Sequence, residues 1–143
     1  LLEYRMTSQL NVDTIKGKST AGSITTQGEG SATTNLQQGL AKSWLDLDGT
    51  AADSTADLTG VRDSFNLTSV VDNGTGSYSP TFTNNMGSAN YSTPSTVGNE
   101  DDAGALIMAV VTKTTSTYRV DSESSSSNND ANRVDVAVLG DLA

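Results

Sequence analysis

The chain has 143 residues, 17 acidic against 8 basic, a formal net charge of -9, and neither cysteine nor histidine. Lacking both, it offers no thiol nucleophile, disulfide, zinc site of the usual kind or histidine base, which excludes a Ser-His-Asp triad. The acidic balance repels phosphate backbones, so no nucleic acid is an expected partner.

Leu, Ile, Val and Phe together make 28 of the 143 residues. That is a sparse core, of the kind a partner subunit completes. The longest apolar run, 105–111, is too short to cross a bilayer, so no membrane insertion is expected. The opening ten residues lack the basic start and apolar stretch of a signal peptide. Met6 reads as the natural start, with 1–5 an upstream remnant.

Residues 1–33 are polar and rich in Thr, Ser and Gly. Leu10-Asn11-Val12-Asp13 alternates as a half-buried strand does. The rest of this stretch cannot bury enough surface to fold alone, which leaves an extended arm or stalk, or a disordered tail. The window 34–42 holds the one candidate helix, a turn or two long. Leu36 and Leu40 are spaced i, i+4, Thr34 or Asn35 can cap it, and Gly39 weakens it.

From Ser43 the pattern is that of strands. Trp44 and Leu45 open one that ends at Asp48-Gly49, and 50–60 is a small-residue loop carrying Asp53 and Asp57. Phe65, Leu67 and Val71 fall on one face by period two, with Tyr78 and Phe82 following a turn. Asn73-Gly74 within Asp72–Gly76 is a hairpin signal, since both residues tolerate positive φ. Pro80 makes the returning strand irregular or places it at a sheet edge. A short strand is expected at 89–93 around Tyr91. An acidic loop follows at 98–104. The continuous apolar run 105–112 reads as a strand buried on both faces. Residues 117–120 form another strand, and 122–132, rich in Ser, Asn and Asp, reads as a loop. Val134, Val136 and Val138 alternate with Asp135 and Ala137 in a last strand, which suggests a structural C-terminus. About seven short strands separated by turns predict an all-β fold. The expected form is an antiparallel β-sandwich, jelly-roll-like, as a head over 34–143 behind an extended N-terminal arm over 1–33.

Asp46-Leu47-Asp48-Gly49-Thr50 matches DxDGT, the first motif of haloacid-dehalogenase-like phosphatases. In that chemistry the first Asp attacks phosphorus, the second is acid and base, and Mg²⁺ neutralises charge. Glu100-Asp101-Asp102 could pose as the later metal-binding motif. That chemistry needs a buried parallel strand with helices on both faces. Lys42-Ser43-Trp44-Leu45 is not such a strand, so an Asp-Gly turn is the preferred reading and phosphatase a remote alternative. An EF-hand loop starting at Asp46 would need an acid at 50 and glycine at 51, where Thr50 and Ala51 stand. A loose calcium site in the Asp/Asn-rich loops stays open beside the plainer reading of solvated loops. Sequons at Asn66, Asn73 and Asn90 are what so much Ser and Thr produces by chance. Trp44, Tyr78, Tyr91 and Tyr118 could stack on sugars, although strand aromatics more often fill cores. No catalytic, cofactor-binding or metal residue is assigned, and no cofactor is expected.

Four stretches are similar to a known family: 6–15 (MTSQLNVDTI), 32–44 (ATTNLQQGLAKSW), 62–91 (RDSFNLTSVVDNGTGSYSPTFTNNMGSANY) and 134–143 (VDVAVLGDLA). They resemble tail-fibre-like proteins of tailed bacteriophages, especially those of marine cyanobacterial and related hosts. The resemblance implies a virion surface protein, commonly a homotrimer, with a slender N-terminal region and a β-rich head. It implies synthesis in the host cytoplasm and exposure on the particle. The expected function is therefore a non-enzymatic tail-fibre or spike subunit for host attachment, joined to other virion proteins of tail or capsid. Its loops 50–60, 98–104 and 122–132 would touch a host surface glycan or protein. The chain is short for a complete tail fibre, so a capsid decoration or head-fibre protein is the alternative. A depolymerase built between neighbouring chains is the enzymatic rival.

Overall fold

In a computed structural model of the chain, the described residues are 10–17, 24–27, 30–99, 106–124 and 127–143. The chain divides into two compact units, Leu1–Leu36 and Gln37–Ala143.

In the first unit, β1 (Thr25–Gln27) and β2 (Thr33–Asn35) pair antiparallel, with Thr26 opposite Thr34. β-branched threonines suit this pleated ribbon, but its side chains are largely exposed and little apolar surface is buried. Leu10, Val12 and Ile15 are exposed, and the strand expected at 10–13 does not form. Alternation supplies an apolar face there, and no described residue of the unit buries it. α1 (Leu36–Gly39) is a single helical turn. Thr34 and Asn35 are spent on β2, which leaves no room for a longer helix.

The second unit is all-β apart from part of that turn. Its strands are β3 (Ala41–Leu47), β4 (Val61–Phe65), β5 (Leu67–Asp72), β6 (Ser77–Phe82), β7 (Ser95–Gly98), β8 (Ile107–Lys113), β9 (Tyr118–Ser124), β10 (Ser127–Asn128) and β11 (Arg133–Leu139). One sheet has the order β4-β3-β11-β7. The other runs β5-β6-β9, with β8 and β10 also paired to β9. Every pairing is antiparallel. The two sheets pack together as a β-sandwich. Leu45, Leu47, Val134, Val136 and Val138 come from one inner face, and Val70, Tyr78, Phe82, Tyr118 and Val120 from the other. Each such side chain contributes roughly 1.5–3 kcal/mol by leaving water. Phe82 stacks edge-on to Tyr91 at 5.7 Å and tilted to Tyr118 at 5.5 Å.

The hairpin expected at 72–76 is present between β5 and β6: Asn73 N–H donates to Ser77 O at 2.8 Å and Ser77 N–H to Gly74 O at 2.9 Å. Other expectations change. Phe65 and Leu67 do not share a face, because Asn66 between them has φ 60°. That left-handed corner ends β4 in one sheet and starts β5 in the other. The Asn66 amide holds the corner by donating to Lys42 O at 2.9 Å and Asn84 O at 3.1 Å, while its carbonyl accepts Asn84 N–H at 2.7 Å. Asn66→Ala loses those bonds and meets the left-handed penalty, so it should destabilise by about 2–4 kcal/mol. Asn66→Gly, which loses the bonds alone, should cost less. Urea unfolding of the two variants checks the order.

Pro80 lies on a central strand, not an edge: β6 pairs with both β5 and β9. Its missing N–H falls where the β6–β9 ladder lapses, between the pair Tyr78–Val120 and the isolated bridge Thr81–Thr117. Thr117 Oγ1 donates to Pro80 O at 2.8 Å across that gap. The strand expected at 89–93 forms instead at β7, after Pro94. Ser92 makes only an isolated bridge to Leu139. Residues 122–132 are not a loop throughout, since Ser122–Ser124 finish β9 and β10 follows. Serine can enter a core when its hydroxyl is paired, and buried Ser122 donates to Asn129 O at 2.8 Å.

The largest departure is β8. The run read as buried on both faces is an edge strand paired only with β9 among the described residues. Ile107 is 60% exposed, and Val110 and Val111 also face water. A bulge between Val110 and Thr112 puts consecutive apolar side chains outward. The opposite edge of the same sheet is covered: Val70 N–H reaches Asp57 O at 2.6 Å and Asp72 N–H reaches Asp53 O at 2.9 Å. The loop 50–60 therefore guards the β5 edge.

Candidate functional site

The alternation of β3 sends Ser43, Leu45 and Leu47 into the core and Trp44 and Asp46 to the outer face. β11 does the same with Val134, Val136 and Val138 inward and Asp135 and Ala137 outward. Directly opposed residues in an antiparallel ladder share a face. The register therefore builds two outer rows, Phe65–Trp44–Ala137 and Asp63–Asp46–Asp135–Thr96. A bulge at Asp46/Leu47 leaves Arg62 as the extra residue of β4. That re-aims its guanidinium onto Asp46 Oδ1 at 3.4 Å and Asp48 Oδ2 at 3.0 Å.

A groove of about 390 Å³ runs over this face, with Trp44, Pro94 and Ala137 at its apolar end and Asp46, Thr96 and Asp135 beside them. A second depression of about 320 Å³ is lined by Asp46, Arg62, Arg133 and Asp135. The two share Asp46 and Asp135. Thr96 Oγ1 donates to Asp135 Oδ2 at 3.3 Å. Trp44, 37% exposed, offers part of its ring to the groove.

The DxDGT string lies at the end of β3. That strand is antiparallel to both of its neighbours, and no helix longer than one turn exists among the described residues. The helix-flanked parallel core that the phosphatase motif needs is not the architecture here. Asp48 instead shapes the turn: its Oδ1 accepts Thr50 Oγ1 at 2.6 Å and Thr50 N–H at 3.1 Å. The Thr50 hydroxyl is the main reason its carboxyl sits below the usual range. Burial opposes that shift, and the Thr50 and Ala51 amides and Arg62 add to it. Glu100, Asp101 and Asp102 lie outside the described residues. No group of three or more acidic side chains placed to hold a metal occurs among the described residues.

Of the four aromatics singled out for sugar stacking, three fill the core. Tyr78 Oη donates to Asp130 Oδ1 at 3.2 Å, and Tyr91 Oη contacts Thr114 O at 3.0 Å and Thr117 O at 3.2 Å. Tyr118 Oη is buried with no partner. Burial is the main cause that raises all three hydroxyls, Tyr91 to about 12. Their native-state values exceed the unfolded value, so their contribution is complete below pH ~10. It should then be lost as pH climbs towards about 12. Tyrosinate absorbance should rise together with loss of the near-ultraviolet dichroism of the core.

The three loops expected to form binding tips divide. Residues 50–60 cover an edge, 122–132 are partly strand, and of 98–104 only Gly98 and Asn99 are described. The sequence named Trp44 as a stacking candidate and Asp46 within the DxDGT string, but it did not join them with Asp135 and Thr96 in one outer-face strip. Its signal was the alternation in SWLDL and VDVAV, which marks outward residues but not which strands lie side by side. No protein-family model, curated protein or solved structure matches this chain.

Proposed function

We propose that the chain is a structural subunit of a virion surface, a homotrimeric fibre or spike protein that contributes to host attachment and carries no catalytic role. The single observation behind it is the exposed apolar edge of β8. Ile107, Val110 and Val111 stand in water beside a row of backbone groups with no strand partner among the described residues. Such an edge is a template for another chain, and a neighbouring copy is the occupant this reading assigns. The exposed Leu10, Val12 and Ile15 of the first unit add to it. The virion itself enters through the resemblance to tail-fibre-like proteins. The finer architecture in this reading is a jelly-roll-like head over 34–143 behind an arm over 1–33. Its support is that the first and last head strands, β3 and β11, lie side by side. The local hairpins β3–β4, β5–β6 and β8–β9 are a departure from nested jelly-roll pairing.

Light scattering at micromolar concentration should give three times the 14.8 kDa chain mass, and Val110→Lys should lower it. A monomer at that concentration sinks the assembly reading. Deleting 1–33 should weaken assembly more than it disturbs the head. Labelled subunits on intact particles should mark the tail, and label across the icosahedral shell would assign the chain to capsid decoration instead.

A further inference from the structure

We infer that the outer face of the four-stranded sheet binds a neutral saccharide, seated on Trp44 and hydrogen-bonded by Asp46 and Asp135. This deepens the attachment reading and rests on it for the source of the sugar. It places recognition on a strand face, where the sequence pointed to loop tips.

The shape and chemistry of the face select the ligand class. The groove of about 390 Å³ is within the range of small-ligand sites. One end is apolar and aromatic, so it takes a flat apolar ring face. The adjoining depression sets two carboxylates, Asp46 and Asp135, among two guanidinium groups, Arg62 and Arg133. Carboxylates only accept hydrogen bonds and guanidinium groups only donate them. A ring carrying several hydroxyls satisfies both, because each hydroxyl donates and accepts. The formal charges of these four side chains cancel, so a charged ligand gains no net attraction from them. Asp48 and Asp63 nearby make the surroundings mildly acidic, which disfavours anionic sugars, while a cationic amine has to compete with Arg62 for Asp46 and Asp48. An extended peptide fits poorly: β3 and β11 are each paired on both sides, so their backbone groups are committed to neighbouring strands. Aspartate side chains in this strip are set by register and by Arg62 and Thr96, which gives the site a fixed geometry before ligand arrives.

Trp44 is the one tryptophan in the chain, so selective tryptophan excitation reports this groove alone. The full chain would be titrated with maltotriose, cellotriose and triacetylchitotriose, and with sialyllactose and glucosamine as anionic and cationic comparisons. At least one neutral trisaccharide should change Trp44 emission saturably in the millimolar range, ahead of both charged sugars. Asp135→Asn should weaken that binding about tenfold with its melting temperature unchanged, and Thr96→Ala should weaken it less. Calorimetry should find no binding in Trp44→Ala. The inference is overturned if no neutral trisaccharide alters the emission at tens of millimolar, if a charged sugar binds as tightly, or if both Asp135→Asn and Thr96→Ala bind like the parent. Mass measured on the same sample keeps the two ideas apart. A trimer indifferent to sugars sinks the inference alone, and a monomer that binds them sinks the trimer alone.

Discussion

Gly76→Ala should destabilise the β-sandwich by roughly 3–5 kcal/mol, a large share of the 5–15 kcal/mol that holds a typical domain. Two costs combine. Gly76 has φ +68°, where a Cβ carries about 1–2 kcal/mol of strain. That Cβ would also stand 2.5 Å from Ser122 O and 2.7 Å from Asn129 N. Both walls are backbone, so no side chain can swing aside. The position is further fixed because Gly76 N–H donates to Asp130 Oδ1 at 2.5 Å and Gly76 O accepts Ser122 N–H at 2.7 Å. Gly74→Ala is the control: it shares the turn and a positive φ of +119°, but its Cβ would meet nothing within 4 Å. Only backbone strain remains, and the loss should be about 1–3 kcal/mol and smaller than that of Gly76→Ala. Urea denaturation of the pair checks the difference.

Tyr78→Ala should cost a similar amount, about 3–5 kcal/mol, through the cavity left by a fully buried ring. The substitution also strips Asp130 of its phenolic donor. Tyr78→Phe separates the two contributions and should lose only about 1 kcal/mol. Tyr118→Phe gives the opposite result. Its hydroxyl is buried without a partner, so removing it should leave stability unchanged or raise it. If Tyr118→Phe proved as damaging as Tyr78→Phe, the assignment of hydrogen bonds in this core would be wrong.

The parts of the fold that the sequence declared were those fixed by neighbours in the chain. The hairpin between Asn73 and Ser77 closes locally, with positive φ at Gly74 and Gly76 and not at Asn73, and the valines at 134, 136 and 138 need only a period of two to turn inward. What it concealed depended on partners far away in sequence. A run such as IMAVVTK has the same composition in a central strand as at an edge, and only the topology decides that β8 has one neighbour among the described residues. Asn66 looks like any polar residue until its left-handed corner separates two sheets. Ser122 reads as loop until Asn129 O accepts a hydrogen bond from its hydroxyl. The strip of Trp44, Asp46, Asp135 and Thr96 draws on three strands, and no local pattern says that 46, 135 and 96 share a row.

The neighbouring placement of β3 and β11 bears on mechanics. Ala41, at the start of β3, lies opposite Leu139, at the end of β11, and Gln38 Nε2 holds Asp141 at 3.0 Å. Tension applied between residues 38 and 141 would part the two strands like a zip, loading one rung at a time instead of shearing all of them together. A sandwich closed in this way resists a pull across those two positions only weakly, and optical-trap stretching across them should record rupture at low force.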